Sequence, residues 1–244
     1  MELEQLKARV AASANIVFFG GAGVSTESDI PDFRSATGLY QTSGAGAYPP
    51  EVMLSRSFFR THPEEFFAFY RTRMLYPDAK PNAAHEALAE LERQGRLGAV
   101  ITQNIDGLHQ LAGSKRVLEL HGSVLRNSCL GCGRKYNLDY ILNHPDTVPT
   151  CGACGEIVRP DVVLYEENLD LKVLLEAADC IAAADLLIVG GTSLTVNPAA
   201  GLVTEYEGDG LVLINMTATP YDSRASFVIR EPIGQVMRAL VPKG

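Results

Sequence analysis

Short, wholly apolar runs alternate with amphipathic stretches along this chain, and each run ends in glycine or a polar cluster. Leu3, Leu6 and Val10 recur at helical spacing, which predicts a helix over residues 3–12. Ile16-Val17-Phe18-Phe19 follows as a buried strand and runs into Gly20-Gly21-Ala22-Gly23. Further strands are read at Gly98-Ala99-Val100-Ile101-Thr102, at Val117-Leu118-Glu119-Leu120 and at Asp185-Leu186-Leu187-Ile188-Val189. Leu211-Val212-Leu213-Ile214 and Phe227-Val228-Ile229 complete the set, with an extended segment from Pro160 to Glu167. Residues 51–93 read as helical, broken between Pro77 and Pro81, with Asn82 as an N-cap. Helices are also expected over residues 170–184 and 232–240. Strands apolar on both faces belong to parallel sheets covered by helices on both sides. The expected fold is α/β, a Rossmann-like doubly wound parallel sheet.

Candidate chemistry sits at the strand ends. Polar or glycine-rich tips follow Phe19, Thr102, Leu120, Val189 and Ile214, and tips of this kind converge on one crevice suited to a dinucleotide. The first glycine turn departs from the dinucleotide fingerprint, because Thr26 stands where a third glycine belongs. Residues 32–48 read as a long functional loop, in which Phe33 and Arg34 suit stacking on a ring and pairing with phosphate. Gln103-Asn104-Ile105-Asp106-Gly107 has the character of an amide-recognition site. His121, at a strand end beside Gly122, is a candidate general base. His85, near Leu88 and Leu91, reads as a packing or capping residue instead.

Cys129-Leu-Gly-Cys132 and Cys151-Gly-Ala-Cys154 are separated by eighteen residues. Two such knuckles supply the tetrahedral thiolate set of one zinc ion, two disulfides or four unrelated thiols being the alternative. A closed four-sulfur site leaves no open position, so the metal is expected to be structural. The segment interrupts the α/β pattern. Residues 1–123 and 159–244 are therefore expected to form the nucleotide-binding domain, with a helical insertion at about 35–80, and residues 124–158 a small zinc module.

Charge narrows the partners. The 244 residues carry a net charge of −8, which disfavours broad binding to nucleic acid or anionic membrane while tolerating a lysine-bearing segment. No signal-peptide pattern or membrane-spanning run is read, and four of five cysteines fall in metal-like pairs. The expectation is a cytoplasmic monomer.

Taken together, Gly21-Ala22-Gly23-Val24-Ser25-Thr26-Glu27-Ser28, Ile30-Pro31-Asp32-Phe33-Arg34, Thr102-Gln103-Asn104-Ile105-Asp106-Gly107-Leu108-His109 and His121-Gly122 resemble the sirtuin (Sir2-like) family of NAD-dependent protein deacylases. The four cysteines, Arg159-Pro160-Asp161-Val162-Val163 and Gly191-Thr192-Ser193-Leu194 extend the resemblance over nearly the whole chain. It implies that Ala22, Thr26, Phe33 and Arg34 line the diphosphate and ribose side of NAD, and that Gln103 contacts the ribose. Asn104, Ile105 and Asp106 would form the nicotinamide pocket, while Thr192, Ser193, Asn215 and Ile233 hold the adenosine end. A peptide would add as a strand between residues 163–166 and the segment near Val196, its acyl-lysine threading past Phe33, Val163 and Tyr165. His121 would deprotonate a ribose hydroxyl, Asn104 and Asp106 would complete the catalytic set, and NAD would be consumed.

Thr26 and Asp29 stand where many relatives have alanine and glycine. Tyr70-Arg71-Thr72-Arg73 has the Tyr-x-x-Arg spacing of relatives that prefer succinyl or malonyl groups, although Phe67 or Phe69 is an alternative occupant of the tyrosine's place. Acetyl-lysine is the favoured substrate, with desuccinylase, demalonylase or mono-ADP-ribosyltransferase activity as the alternatives. The spacing after the first strand does not suit a Rossmann dehydrogenase.

Overall fold

The computed structural model describes residues 2–33, 38 and 48–241. Among them the strands are β1 Ile16–Gly20, β2 Leu97–Thr102, β3 Val117–Glu119, β4 Gly122–Cys129, β5 Lys135–Asn137, β6 Val158–Val162, β7 Leu186–Gly190, β8 Leu211–Ile214 and β9 Phe227–Ile229. They form a six-stranded sheet of order β3-β2-β1-β7-β8-β9 and a three-stranded sheet of order β5-β4-β6. Every pairing in the larger sheet is parallel.

Alternation along β1 divides the larger sheet's core in two. Ile16 and Phe18 join Leu6, Leu88, Leu91 and Met237, from helices Glu2–Ala12, Ala83–Arg93 and Ile233–Leu240. Val17 and Phe19 join Ala177, Ile181 and Val203, from helix Leu171–Ala182 and the 3-10 helix Ala199–Glu205. Each large apolar side chain buried in this way contributes about 1.5–3 kcal/mol, which makes the sheet a rigid frame for its polar tips. Among the described residues no helix is long and apolar enough to cross a membrane.

The stretch read as helical over 51–93 resolves into helices Pro50–Met53, Arg56–Thr61, Pro63–Arg73 and Ala83–Arg93. Ser55 caps the second through a bond from the Phe58 N–H, and Pro63 sits in the first turn of the third. His85 is the capping residue its setting predicts, its Nδ1 accepting from the Asn82 N–H at 3.2 Å. Phe58, Phe59, Phe66, Phe67 and Tyr70 share one core with Val124, Ile141, Val158 and Val162. The aromatic helices thus pack on the small sheet.

The extended segment expected from Pro160 to Glu167 stops as a strand at Val162. Glu167 curls back to accept from the Leu164 N–H at 2.9 Å and pairs with both terminal nitrogens of Arg159. Glu166 takes a left-handed φ of 73° while its carboxylate accepts from the Ser57 N–H and Oγ. Two carboxylates turn a nominal edge strand into a clamped strap.

Candidate active site

The glycine turns after β1 and β7 meet where the strand order reverses. The Gly21 N–H donates to the Gly190 carbonyl at 3.2 Å, and the Gly23 N–H to that of Gly191 at 2.8 Å. A Cβ on Gly23 would lie 2.8 Å from Gly191 Cα, and one on Gly21 would lie 2.8 Å from Thr192 Cβ. Only glycine lets two backbones approach this closely. Thr26 braces the turn, its Oγ1 donating to the Gly23 carbonyl at 3.0 Å. Asp29 sits at φ 62°, a left-handed position that glycine takes without strain and aspartate tolerates.

The tip of β2 faces this seam. Asn104 Nδ2 donates to Ser25 Oγ at 3.0 Å, and Ser25 Oγ donates onward to Asp106 Oδ2 at 2.7 Å. The Leu108 N–H occupies Asp106 Oδ1 at 2.9 Å. Burial raises the Asp106 pKa, partly offset by those two donors. Gln103 Oε1 accepts from Thr192 Oγ1 at 3.1 Å, whereas Gln103 Nε2 is buried without a partner. That orphaned donor, set beside a turn closed to any Cβ, fits a bound polar ligand such as a ribose.

His121 occupies the hinge between the two sheets. Gly122 follows at φ 77°, where a Cβ would lie 2.0 Å from the Asp161 carbonyl oxygen. His121 Nδ1 lies 2.9 Å from the Gln103 carbonyl oxygen. A carbonyl only accepts, so Nδ1 carries the proton and Nε2 is left as the basic nitrogen. Burial lowers the His121 pKa, the Gln103 bond opposing it in part, and the ring is held neutral.

A cavity of about 1520 Å³ gathers the expected residues. Ala22, Thr26 and Phe33 line it with Gln103, Asn104, Ile105, Asp106 and His121. Val163, Tyr165 and Val196 form another part of the wall, and Thr192, Ser193, Asn215 and Ile233 a third. Arg34 lies outside the described residues. Ser25 carries no signal of its own role in the sequence, and neither does Glu27, which accepts from the Gly234 N–H at 2.7 Å and ties the first turn to the last helix. Asn82 is more than the cap its position predicts, since its Nδ2 also donates to the Val24 carbonyl and Ser28 Oγ, at 2.8 and 2.9 Å. These contacts span 207, 58 and 54 positions, beyond the reach of local pattern.

The thiols of Cys129, Cys132, Cys151 and Cys154 all lie within 4.8 Å of one another and none is in a disulfide. Cys129 and Cys154 sulfurs are 3.3 Å apart, and those of Cys132 and Cys151 3.6 Å. Zinc–sulfur bonds of about 2.3 Å in a tetrahedron require sulfur separations of about 3.8 Å, so the cluster suits a structural zinc ion. Tyr136 Oη, 3.1 Å from Cys151 Sγ, and the Cys132 N–H, 3.4 Å from Cys129 Sγ, orient the sulfurs from outside.

The sequence model of the Sir2 family matches residues 21–198. The chain belongs to the Sir2 family. It is 57% identical over 240 residues to an NAD-dependent protein deacetylase of Clostridium acetobutylicum, covering 98% of each chain. It is 58% identical to one from Clostridium tetani over 98% of this chain and 96% of the other. Among solved Sir2 structures, one with a deacetylated p53 peptide and 3'-O-acetyl ADP ribose superposes at a TM-score of 0.90, with 38% identity, over 100% and 99% of the two chains. A Sir2 structure with p53 peptide and NAD+ gives a TM-score of 0.85 and 40% identity over 98% and 96%. The six-stranded sheet, the four-cysteine cluster and the cavity at the sheet's strand tips are thus this chain's version of the Sir2 architecture.

Proposed function

We infer that this chain is an NAD-dependent protein-lysine deacetylase, which moves the acetyl group from lysine to ADP-ribose and releases nicotinamide. The observation that carries the reading is a neutral histidine, fixed through Nδ1 to the Gln103 carbonyl, in the same cavity as the buried Asn104–Ser25–Asp106 network. Relatives at 57% and 58% identity named NAD-dependent protein deacetylase support it.

NAD, as the second substrate, brings an anomeric carbon that accepts the acyl oxygen. We assign His121 Nε2 to take a proton from a ribose hydroxyl, a role that burial favours by keeping the ring uncharged. Asp106, with one oxygen on Ser25 and the other on the Leu108 N–H, is oriented to accept from the nicotinamide carboxamide. Asn104 holds Ser25 in place for that task. Gln103 Nε2 is assigned to the ribose, and Ala22, Thr26, Phe33 and Arg34 to the diphosphate side. Thr192, Ser193, Asn215 and Ile233 take the adenosine end.

We assign the acyl-lysine peptide to the strap at Val163 and Tyr165, facing Val196. The N–H groups of Val163, Leu164 and Tyr165 are already bonded to His121 O, Glu167 Oε2 and Leu54 O. The Leu164 and Tyr165 carbonyls also accept, from the Glu167 and Arg56 N–H groups at 3.1 Å each, so a peptide N–H added there would use a carbonyl's second lone pair. One zinc ion at the four cysteines, residues 124–158 as its module, and a monomer in the reducing cytoplasm complete the proposal.

With an acetyl-lysine peptide and NAD, the purified protein should release nicotinamide and O-acetyl-ADP-ribose in equal amounts. His121→Ala should lower turnover about 10²–10⁴-fold. Nicotinamide release without deacetylation would transfer the assignment to mono-ADP-ribosyl transfer.

A further inference from the structure

Glu166 is the strained residue of the strap, and none of the roles above uses its side chain. Its φ of 73° is left-handed, a region that glycine enters freely, asparagine and aspartate at some cost, and glutamate rarely. Strain of this kind persists only where the surroundings hold it, and it gathers at binding sites. Here the holder is a single serine. Glu166 Oε2 accepts from the Ser57 N–H at 2.9 Å, and Oε1 accepts from Ser57 Oγ at 2.8 Å. That N–H lies in the first turn of helix Arg56–Thr61, where the helix itself offers it no carbonyl.

The two carboxylates of the strap do different work. Glu167 closes the strap on itself, through Arg159 and the Leu164 N–H, whereas Glu166 ties it to another element. Tyr165 forms a parallel bridge with Ser55, its N–H donating to the Leu54 carbonyl and its carbonyl accepting from the Arg56 N–H. Those two bonds do not fix the torsion at residue 166. Relaxation of that torsion would rotate the chain beside it, including the cavity wall at Val163 and Tyr165.

We propose that Glu166 is a positioning residue for the acyl-lysine peptide. Its carboxylate, latched to Ser57, offsets the strain of its own backbone and holds the strap in the peptide-receiving conformation before the peptide arrives. The dinucleotide is assigned to the glycine turns and strand tips of the larger sheet, so its binding should not move with the latch. The proposal rests on the deacylase reading and on its assignment of the peptide to the strap.

Steady-state kinetics with an acetyl-lysine peptide and NAD test it on three variants, because latch and strain can be removed separately. Glu166→Gln keeps both contacts, its amide oxygen accepting from the Ser57 N–H and its NH2 donating to Ser57 Oγ, and should hold the peptide KM within about twofold of wild type. Glu166→Gly removes latch and strain together and should raise that KM about threefold, the worth of an exposed hydrogen-bonded pair. Glu166→Ala removes the latch and keeps the strain, and should raise it about tenfold or more. The KM for NAD and kcat should stay within about twofold throughout, the sign of lost binding that ground and transition states share. Glu166→Gly at or below the wild-type peptide KM overturns the proposal, as does Glu166→Ala no higher than Glu166→Gly, or Glu166→Gln as impaired as Glu166→Ala. A KM for NAD that rises in step with that for peptide marks a merely structural residue and overturns it too. Deacetylation by the wild type with any of these results leaves the deacylase reading standing; no deacetylation by the wild type removes both.

Discussion

Gly191 offers the sharpest test of how the two glycine turns make the site. In Gly191→Ala the new methyl meets two separate obstacles. The φ of 60° is left-handed, which costs an alanine about 1–2 kcal/mol. The methyl would also lie 2.3 Å from Val24 N and 2.6 Å from the Gly23 carbonyl carbon. Both are backbone atoms, so the first turn must retreat by roughly 1 Å, and overpacking of this kind costs about 1–3 kcal/mol. The sum is about 2–5 kcal/mol, against a total stability of about 5–15 kcal/mol. Gly95 supplies the control, because it has φ 71° and a Cβ there would meet nothing within 4 Å. Gly95→Ala should therefore lose only the conformational part, about 1–2 kcal/mol. Urea denaturation of both variants separates the two contributions, and the KM for NAD reports the displaced turn. Gly191→Ala should raise that KM at least tenfold, since misplacements of about 1 Å are worth up to about 10²-fold. Equal stability losses in the two variants, with KM unchanged in both, would refute the close-packed seam as the source of NAD binding.

Elemental analysis should find one zinc per chain, and Cys129→Ser should lower both Tm and soluble yield; a metal-free variant melting like the wild type would contradict a structural role. Acid should weaken the fold through His85 and His109, whose rings lie 4.7 Å apart and whose pKa values burial lowers to about 4 and about 3. Both are neutral when folded, so their stability is complete above the unfolded value near 6.5 and is lost as pH falls towards 4. The loss is about 3 kcal/mol for His85, and a flat Tm from pH 7 to pH 4.5 would contradict it.

The sheet was legible because its strands are apolar on both faces and each ends in glycine or a polar cluster. Ile16–Gly20, Leu186–Gly190 and Leu211–Ile214 are buried throughout. Helix ends were legible where a local cap exists, as at Asn82. The strap from Val163 to Glu167 was not, because its β-prone residues are overridden by ion pairing and bonding to Arg159, Ser57 and Leu54. The small sheet was also hidden, since its strands carry polar residues such as Arg126, Asn127 and Ser128 and alternate weakly. At the site, motif-bearing residues stood out by type. Ser25 and Glu27 act through partners distant in sequence, Asp106 and Gly234, and only the folded chain brings those together.

The pairing of β4 with β6 gives the enzyme a vulnerability at a distance. Cys129 pairs with Val158 at one end of this ribbon, and Gly122 with Val162 at the other, next to His121 and the strap. Seven steps of about 3.4 Å from Gly122 to Cys129 put up to about 24 Å between the two ends of β4. Cys132 and Cys154 are exposed to solvent. An oxidant too large to enter the cavity can therefore reach those sulfurs, at the far end of the ribbon from His121. For His121 as the proposed base, this ties turnover to the thiol balance of its surroundings.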